Sequence, residues 1–317
     1  MTEHNAEYIT PEDDKHWKEM RARDVTSTES AALYGLSPYT TELELFYRKQ
    51  SGEAVDFGDN HRMKAGRFLE PSIAQLAGDE LGCKVIPFKR YARTHDKMGS
   101  SFDYEIIHDN TKDTRHDLEG WLLEVKNVDF LIYRDQWEDN EAPDHIEVQC
   151  QHQLEITGRP GIIIACLVGG NDLKIIKRER DVKMGANIRK RIEKFWDDVE
   201  INKPPTPDFS RDADFIISLY QSAGEKVISF EEETDEADLI KEYRELRQTY
   251  TQADKDSKSI KAKLLTLIGD EPSKVLCGLL TLTCGEIGET FVEAYTRKGY
   301  RNFRVTERKP KKEKIKK

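Results

Sequence analysis

Long apolar runs are missing from this 317-residue chain. None approaches the roughly 18 consecutive apolar residues that a membrane-crossing helix needs. Cysteine is scarce: the five (Cys83, Cys150, Cys166, Cys277, Cys284) are odd in number and include no C-x-x-C pair. That excludes a disulfide frame and a thiolate zinc site, and reads as free thiols in a reducing compartment. The first residues (MTEHNAEYITPEDD) lack the basic and apolar segments of a secretory or transit signal. Together these absences point to the cytoplasm and away from secreted, membrane and disulfide-scaffold classes.

Charge, by contrast, is abundant. Charged residues make up 35% of the chain against 37% apolar, enough apolar content for an ordinary packed core. The balance is uneven: the net charge is −10, yet residues 297–317 hold 11 Lys/Arg against 2 Glu, leaving the rest at −19. A basic tail of this kind suits phosphate contact, and equally suits a solvated tail.

The pattern of residues 17–52 predicts two short helices. Thr26-x-x-Glu29 and Thr41-x-x-Glu44 read as capping boxes, with Gly35 and Gly52 as stops. Residues 63–82 carry helical spacing (Leu69, Ile73, Leu76, Leu81), and Pro71 is expected in the first turn or at a kink. Strand-like runs follow at 84–92, 98–107 and 121–128, then a helix over 144–158. Gly161–Val168 reads as a strand buried on both faces, with a returning strand at 173–178 and a helix over 181–202. The fold class is therefore α/β, with a mixed central sheet flanked by helices. The domain expected to carry function spans 1–223. An accessory module over 224–317 comprises a helix (238–268), a hairpin-like segment and the basic tail. In that helix Leu239, Tyr243, Leu246, Tyr250, Ala253, Ser257, Ile260, Leu264 and Leu267 step by 4 and 3, a coiled-coil seam.

The chemically suggestive residues are Asp103 and Glu124-Val125-Lys126. On a strand Glu124 and Lys126 share a face while Val125 turns to the other. If the preceding strand pairs with this one, Asp103 reaches the same spot. Two carboxylates so placed invite a hard divalent cation. A neighbouring lysine can support an attacking hydroxide or a developing phosphate charge. By themselves these residues equally describe an exposed strand of alternating charge.

At this point the chain resembles the PD-(D/E)xK nucleases, and among them the lambda exonuclease and YqaJ-type viral recombinase family. The resemblance runs from residue 17 to about 205. It rests on Trp17, Arg21, Thr26 to Tyr39, Gly66-Arg-Phe-Leu-Glu70-Pro, Ser101-Phe102-Asp103, Leu123-Glu124-Val-Lys126, Gln149 to Leu154, Thr157-Gly158 and Phe195-Trp196. It implies a restriction-endonuclease-like core with the C-terminal coiled-coil or hairpin module appended.

The resemblance makes Asp103, Glu124 and the Val125 carbonyl metal ligands, with Lys126, Glu70 and Gln149 as catalytic residues. Arg21, Thr28 and Ser101 match a pocket for a DNA 5′-phosphate. Glu70 is expected near the start of its helix. Phe102 stands where the motif's name has proline, and Asp109, Asp113 and Asp117 compete with Asp103 on spacing alone. His145 and His152 are read as structural or solvated. Arg90, Arg93 and Arg189-Lys190-Arg191 are the candidates for a DNA-lining surface.

The activity so implied is a Mg²⁺-dependent (two ions, Mn²⁺ substituting) 5′→3′ exonuclease acting on double-stranded DNA ends. It would leave 3′ strands for a single-strand annealing protein, and the family adds a trimeric ring. The alternatives are an endonucleolytic or structure-specific nuclease, or a non-catalytic DNA-end-binding protein.

Overall fold

A computed structural model describes residues 6–54, 58, 60–107, 116–137, 141–288 and 291. Two compact units divide the chain, Met1–Phe215 and Ile216–Lys317.

The first unit runs β1 (Glu7–Ile9), α1 (Asp14–Arg23), β2 (Val25–Thr26), a 3₁₀ turn (Ser30–Tyr34), α2 (Glu42–Ser51) and α3 (His61–Leu81). Then come β3 (Lys84–Pro87), β4 (Tyr91–Arg93), β5 (Met98–Ser100), β6 (Tyr104–Ile107), a 3₁₀ turn (His116–Leu118) and β7 (Leu122–Val128). α4 (Phe130–Gln136), α5 (Asp144–Thr157), β8 (Gly161–Val168), β9 (Asp172–Glu179), α6 (Val182–Glu200) and α7 (Ala213–Leu219) complete the order, the last crossing the boundary between units.

Five strands form the main sheet in the order β3-β6-β7-β8-β9. Only β7 and β8 run parallel, and α4 and α5 make the crossover that a parallel pair requires. All eight residues of β8 are buried because both faces are covered. Its even positions (Ile162, Ile164, Cys166, Val168) join the core beneath α5 and α6, and its odd positions (Ile163, Ala165, Leu167) join the core beneath α3. β7 keeps the same alternation. Leu122, Glu124 and Lys126 face α5, while Leu123 and Val125 face α3.

The expected mixed α/β architecture is present, with differences in detail. Thr41 and Glu44 form a true capping box on α2, stopped at Gly52. Thr26 and Glu29 do pair through the Thr26 N–H, but Thr26 lies on a strand and only a 3₁₀ turn comes after it. The helix in this region is α1, upstream of that pair. The run 84–92 splits between two sheets, because a second sheet (β1-β4-β5-β2) takes its far end. The run 98–107 also breaks, so Asp103 sits in the bend between β5 and β6. Pro71 is neither in a first turn nor near one. α3 begins at His61, which puts Glu70 and Pro71 at mid-helix, so the N-terminal dipole gives no account of Glu70. The missing proline N–H leaves the helical bond to the Arg67 carbonyl unmade.

The second unit contains α8 (Asp235–Ile268), capped by the Thr234 side chain and ended at Gly269, and a hairpin of β10 (Lys274–Cys277) and β11 (Leu280–Thr283). The basic tail, Asp109 and Asp113 lie outside the described residues. No described helix is long and apolar enough to cross a membrane.

Candidate active site

The bend that interrupts 98–107 is what delivers Asp103. Its main-chain carbonyl accepts from the Phe88 N–H, and its Oδ2 accepts from the Val125 N–H at 2.8 Å. The carboxylate is thereby pinned over the middle of β7. Glu124, on the α5-facing side of β7, is 4% exposed, and both its oxygens are occupied. Oε1 accepts from Lys126 Nζ and from Gln149 Nε2, each at 2.6 Å, and Oε2 accepts from Gln153 Nε2 at 2.8 Å. Lys126 also reaches Gln149 Oε1 at 3.3 Å. Gln149 and Gln153 stand one helical turn apart on α5 and so present both amides to one strand.

Glu70 comes from α3, where the Tyr104 hydroxyl donates to it. Burial, then the Glu124 charge, push its carboxyl above the usual range. Burial and Glu124 also push Asp103 well above that range, with Lys126 only partly offsetting them. Burial works against the Lys126 charge, but Glu124 and Asp103 outweigh it and hold the ammonium protonated. Three carboxylates, from α3, the bend before β6 and β7, thus lie within electrostatic reach of one another and of a single ammonium, an electrostatic deficit that a divalent cation removes.

The donors are hard oxygens, as Mg²⁺ requires. Among the described residues no group of three or more His, Cys, Asp or Glu side chains is placed to hold a metal ion by itself, so a cation here would draw on two carboxylates, a main-chain carbonyl and waters. The residues fit the cation.

The second predicted set also converges. The Trp17 indole N–H donates to Ser101 Oγ at 2.8 Å, the Arg21 guanidinium lies 4.6 Å over the Trp17 ring, and Arg21 donates to Thr28 Oγ1 at 3.3 Å. A cavity of about 690 Å³ opens beside them, lined in part by Trp17, Arg21, Arg48, Lys49 and Arg67. Under its wall Glu29 gathers Arg48 (2.9 Å), Lys49 (2.8 Å) and the Thr26 N–H (2.9 Å). Gln153 connects the two sets, since its Nε2 also reaches the Ser101 carbonyl at 3.4 Å.

Gln153, Trp17, Glu29 and Lys49 carry no functional role assigned from the sequence, where Glu29 is read only as half of a capping box. For Gln153 a signal existed in the i, i+4 spacing from Gln149, whereas Glu29 and Lys49 become neighbours only through the packing of α2. The basic residues suggested for a DNA surface are mostly committed to the fold. Arg93 pairs with buried Asp24, Arg189 with Asp96 and Glu155, and Arg191 with Glu42. Arg90 stacks on Tyr8 and Phe88. His152 is fully buried against the Gly99 carbonyl, and His145 packs edge-on to Tyr39. Asp117 lies exposed on a 3₁₀ turn, leaving Asp103 as the described aspartate at this strand.

A mixed sheet on which an aspartate in a bend meets a Glu-Val-Lys strand, backed by a glutamine-bearing helix, is the arrangement that the resemblance to the PD-(D/E)xK nucleases implies. The family model of the YqaJ-like viral recombinase domain matches residues 16–160. The resemblance carried by the motifs is borne out. The uncharacterized protein YqaJ of Bacillus subtilis (strain 168) is 25% identical over 205 residues, or 62% of this chain, and this chain spans 61% of that protein's length. Two solved structures of LHK-Exo also align with this chain. One is described as an alkaline exonuclease from Laribacter hongkongensis (20% identity, TM-score 0.47) and the other as a complex with dAMP (19%, 0.48). Each covers 63% of this chain and 98% of its own.

Proposed function

We propose that this protein is a Mg²⁺-dependent exonuclease that enters double-stranded DNA at an end and degrades it 5′→3′. The observation that carries the reading is the Gln153 bridge. One side chain touches both Glu124 in the carboxylate centre and the carbonyl of Ser101, whose hydroxyl accepts from Trp17 in the pocket wall, so the two are linked by a short chain of contacts.

In this reading Arg21, Thr28 and Ser101 receive the terminal 5′-phosphate, where a guanidinium fork and hydroxyls are suited to phosphate oxygens. The adjacent phosphodiester lies over β7. Asp103, Glu124 and the Val125 carbonyl would hold Mg²⁺, two ions by family resemblance, with Mn²⁺ as substitute. Bound there, the metal supplies charge neutralisation at the attacking and leaving oxygens. Lys126 positions the attacking water, Glu70 takes up the water's proton, and Gln149 orients the scissile phosphate. Each cut releases a mononucleotide and restores a 5′-phosphate for the next. The remaining 3′ strand is the substrate of a single-strand annealing protein in phage-type recombination, within the bacterial cytoplasm. A trimeric ring around the duplex would make the reaction processive.

The test is a linear duplex labelled at the 5′ or 3′ end, beside a covalently closed circle, with and without Mg²⁺. The 5′ label is expected to leave as mononucleotide and the circle to survive. Lys126→Ala should slow cleavage at least about a hundredfold, as loss of one charge-stabilising donor does. Cutting of the circle would make the protein an endonuclease. Retained end binding without cleavage in Mg²⁺ or Mn²⁺ would leave only the binding role.

A further inference from the structure

We infer that α8 pairs with the α8 of a second copy of this chain as an antiparallel two-stranded coiled coil. The inference is independent of the nuclease reading.

The helix is 34 residues long, about 50 Å at 1.5 Å per residue, and none of its residues is buried. Its 4-3 seam places Tyr243, Tyr250, Ser257 and Leu264 at one core position of the heptad and Leu239, Leu246, Ala253, Ile260 and Leu267 at the other. Leu246 is 62% exposed, Tyr250 66%, Ile260 57% and Leu267 82%. A stripe of large apolar groups along one line of a long helix in water is the signature of a missing partner helix.

Charge selects the partner and its direction. Residues 235–251 carry five acidic against three basic side chains, and residues 252–268 carry two against four. Parallel pairing with a second copy sets like halves together. Antiparallel pairing opposes the two helix dipoles and, in the register below, overlaps residues 242–268 of the two helices, leaving Asp235, Glu236 and Asp238 beyond the partner's Ile268. The flanking positions agree. With Tyr243 layered against the partner's Leu267, Glu242 falls opposite the partner's Lys263 and Asp254 opposite the partner's Lys261, with no like-charge pair between these positions. The core layers also even out. Tyr243 meets Leu267, Tyr250 meets Ile260, Leu264 meets Leu246, and the small residues Ser257 and Ala253 meet each other. A parallel pair would stack tyrosine on tyrosine and serine on serine.

Sedimentation equilibrium of the full chain under reducing conditions, over a range of concentrations, tests the pairing. The parent is expected to show, reversibly, twice the mass of the pairing-deficient variant below. The double variant Leu246→Lys/Ile260→Lys should raise the dissociation constant at least about a hundredfold, while melting of the Met1–Phe215 unit stays unchanged as the folding control. Glu242→Lys should weaken pairing about tenfold, and adding Lys263→Glu should restore it. Equal masses for the parent and Leu246→Lys/Ile260→Lys at every concentration would overturn the inference, because α8 would then hold no pair. Rescue of Glu242→Lys by Arg247→Glu instead of Lys263→Glu would make the pair parallel and overturn the stated arrangement.

Discussion

Asp103 is held where its charge is disfavoured. The Val125 N–H fixes one oxygen, Glu124 stands nearby, and burial adds to the repulsion. A carboxyl raised in the folded state binds protons more readily there than in the unfolded chain. Its effect on stability therefore worsens as pH rises above the unfolded value, and stays worst above the folded one. Asp103→Asn removes that penalty while keeping the shape. In metal-free buffer near pH 8 it should melt higher than the parent, and the gap should close as the pH is lowered toward 4. It should also lose the rise in melting temperature that Mg²⁺ gives the parent, and with it DNA cleavage. Melting curves with and without Mg²⁺ across that pH range would check all of this. A lower melting temperature for Asp103→Asn without metal would show that the carboxylate supports the fold instead of straining it. Stability sacrificed to hold a charged site is the common pattern in catalytic centres.

Between elements, Glu29 does the most binding together. From the turn after β2 it collects the Thr26 N–H and hydroxyl, and Arg48 and Lys49 from α2. Lys49 also donates to the Arg21 carbonyl at the end of α1, at 2.7 Å. Burial pushes the Glu29 carboxyl up, but Lys49, Arg48 and Arg21 outweigh it and hold it below the usual carboxylate range. Breaking one side of such a buried arrangement costs about 3–5 kcal/mol, because Lys49, 5% exposed, is left without its counter-charge. Glu29→Gln should lose about that much in chemical denaturation. The surviving folded protein should show a higher KM for DNA ends with kcat changed less, since Glu29 supports Thr26 beside Thr28 and, through Lys49, the end of α1 that carries Arg21, and not the carboxylate centre. A fall in kcat alone would separate Glu29 from the pocket. The capping-box reading of Thr26 and Glu29 found the right pair and the wrong element. The same two groups that start a helix also close a turn, and only the strand pairing of Val25 and Thr26 with Met98 and Gly99 decides between them.

For the molecule as a whole, pH stability has an identifiable buried source. His152 has no exposed surface, its Nε2 meets the Gly99 carbonyl at 3.1 Å, and Nδ1 has no partner. Burial lowers its pKa to about 3. Since the folded value lies below the unfolded one, about 6.5, the contribution is fully present above pH 6.5 and is lost as the pH falls toward 3. The slope approaches one proton, about 1.4 kcal/mol per pH unit. The difference in unfolding free energy between wild type and His152→Gln isolates this slope from the carboxylates, whose shifts act in both senses, raised at Asp103 and lowered at Glu29. A difference independent of pH between 6.5 and 4 would mean that His152 is charged in the fold.

Read alone, the sequence determined the local periodicities and their direct consequences. The continuous apolar run of β8, the two-residue alternation that sets Glu124 and Lys126 side by side, the stops at Gly35 and Gly52, and the seam of α8 are all properties of neighbours along the chain. Motif order was enough to mark Asp103, Glu124, Lys126, Gln149, Arg21, Thr28 and Ser101. Tertiary structure alone decided how these two sets relate. A bend breaks the strand before β6 and swings Asp103 onto the Val125 amide. α5 crosses over β7 so that Gln153, 52 residues from Ser101, touches both Ser101 and Glu124. α3 runs far enough upstream to place Glu70 at mid-helix beside Tyr104. Folding also committed Arg93, Arg189 and Arg191 to internal carboxylates. A charge in sequence has no partner until folding brings one within a few ångströms, and buried charges cannot be left without one.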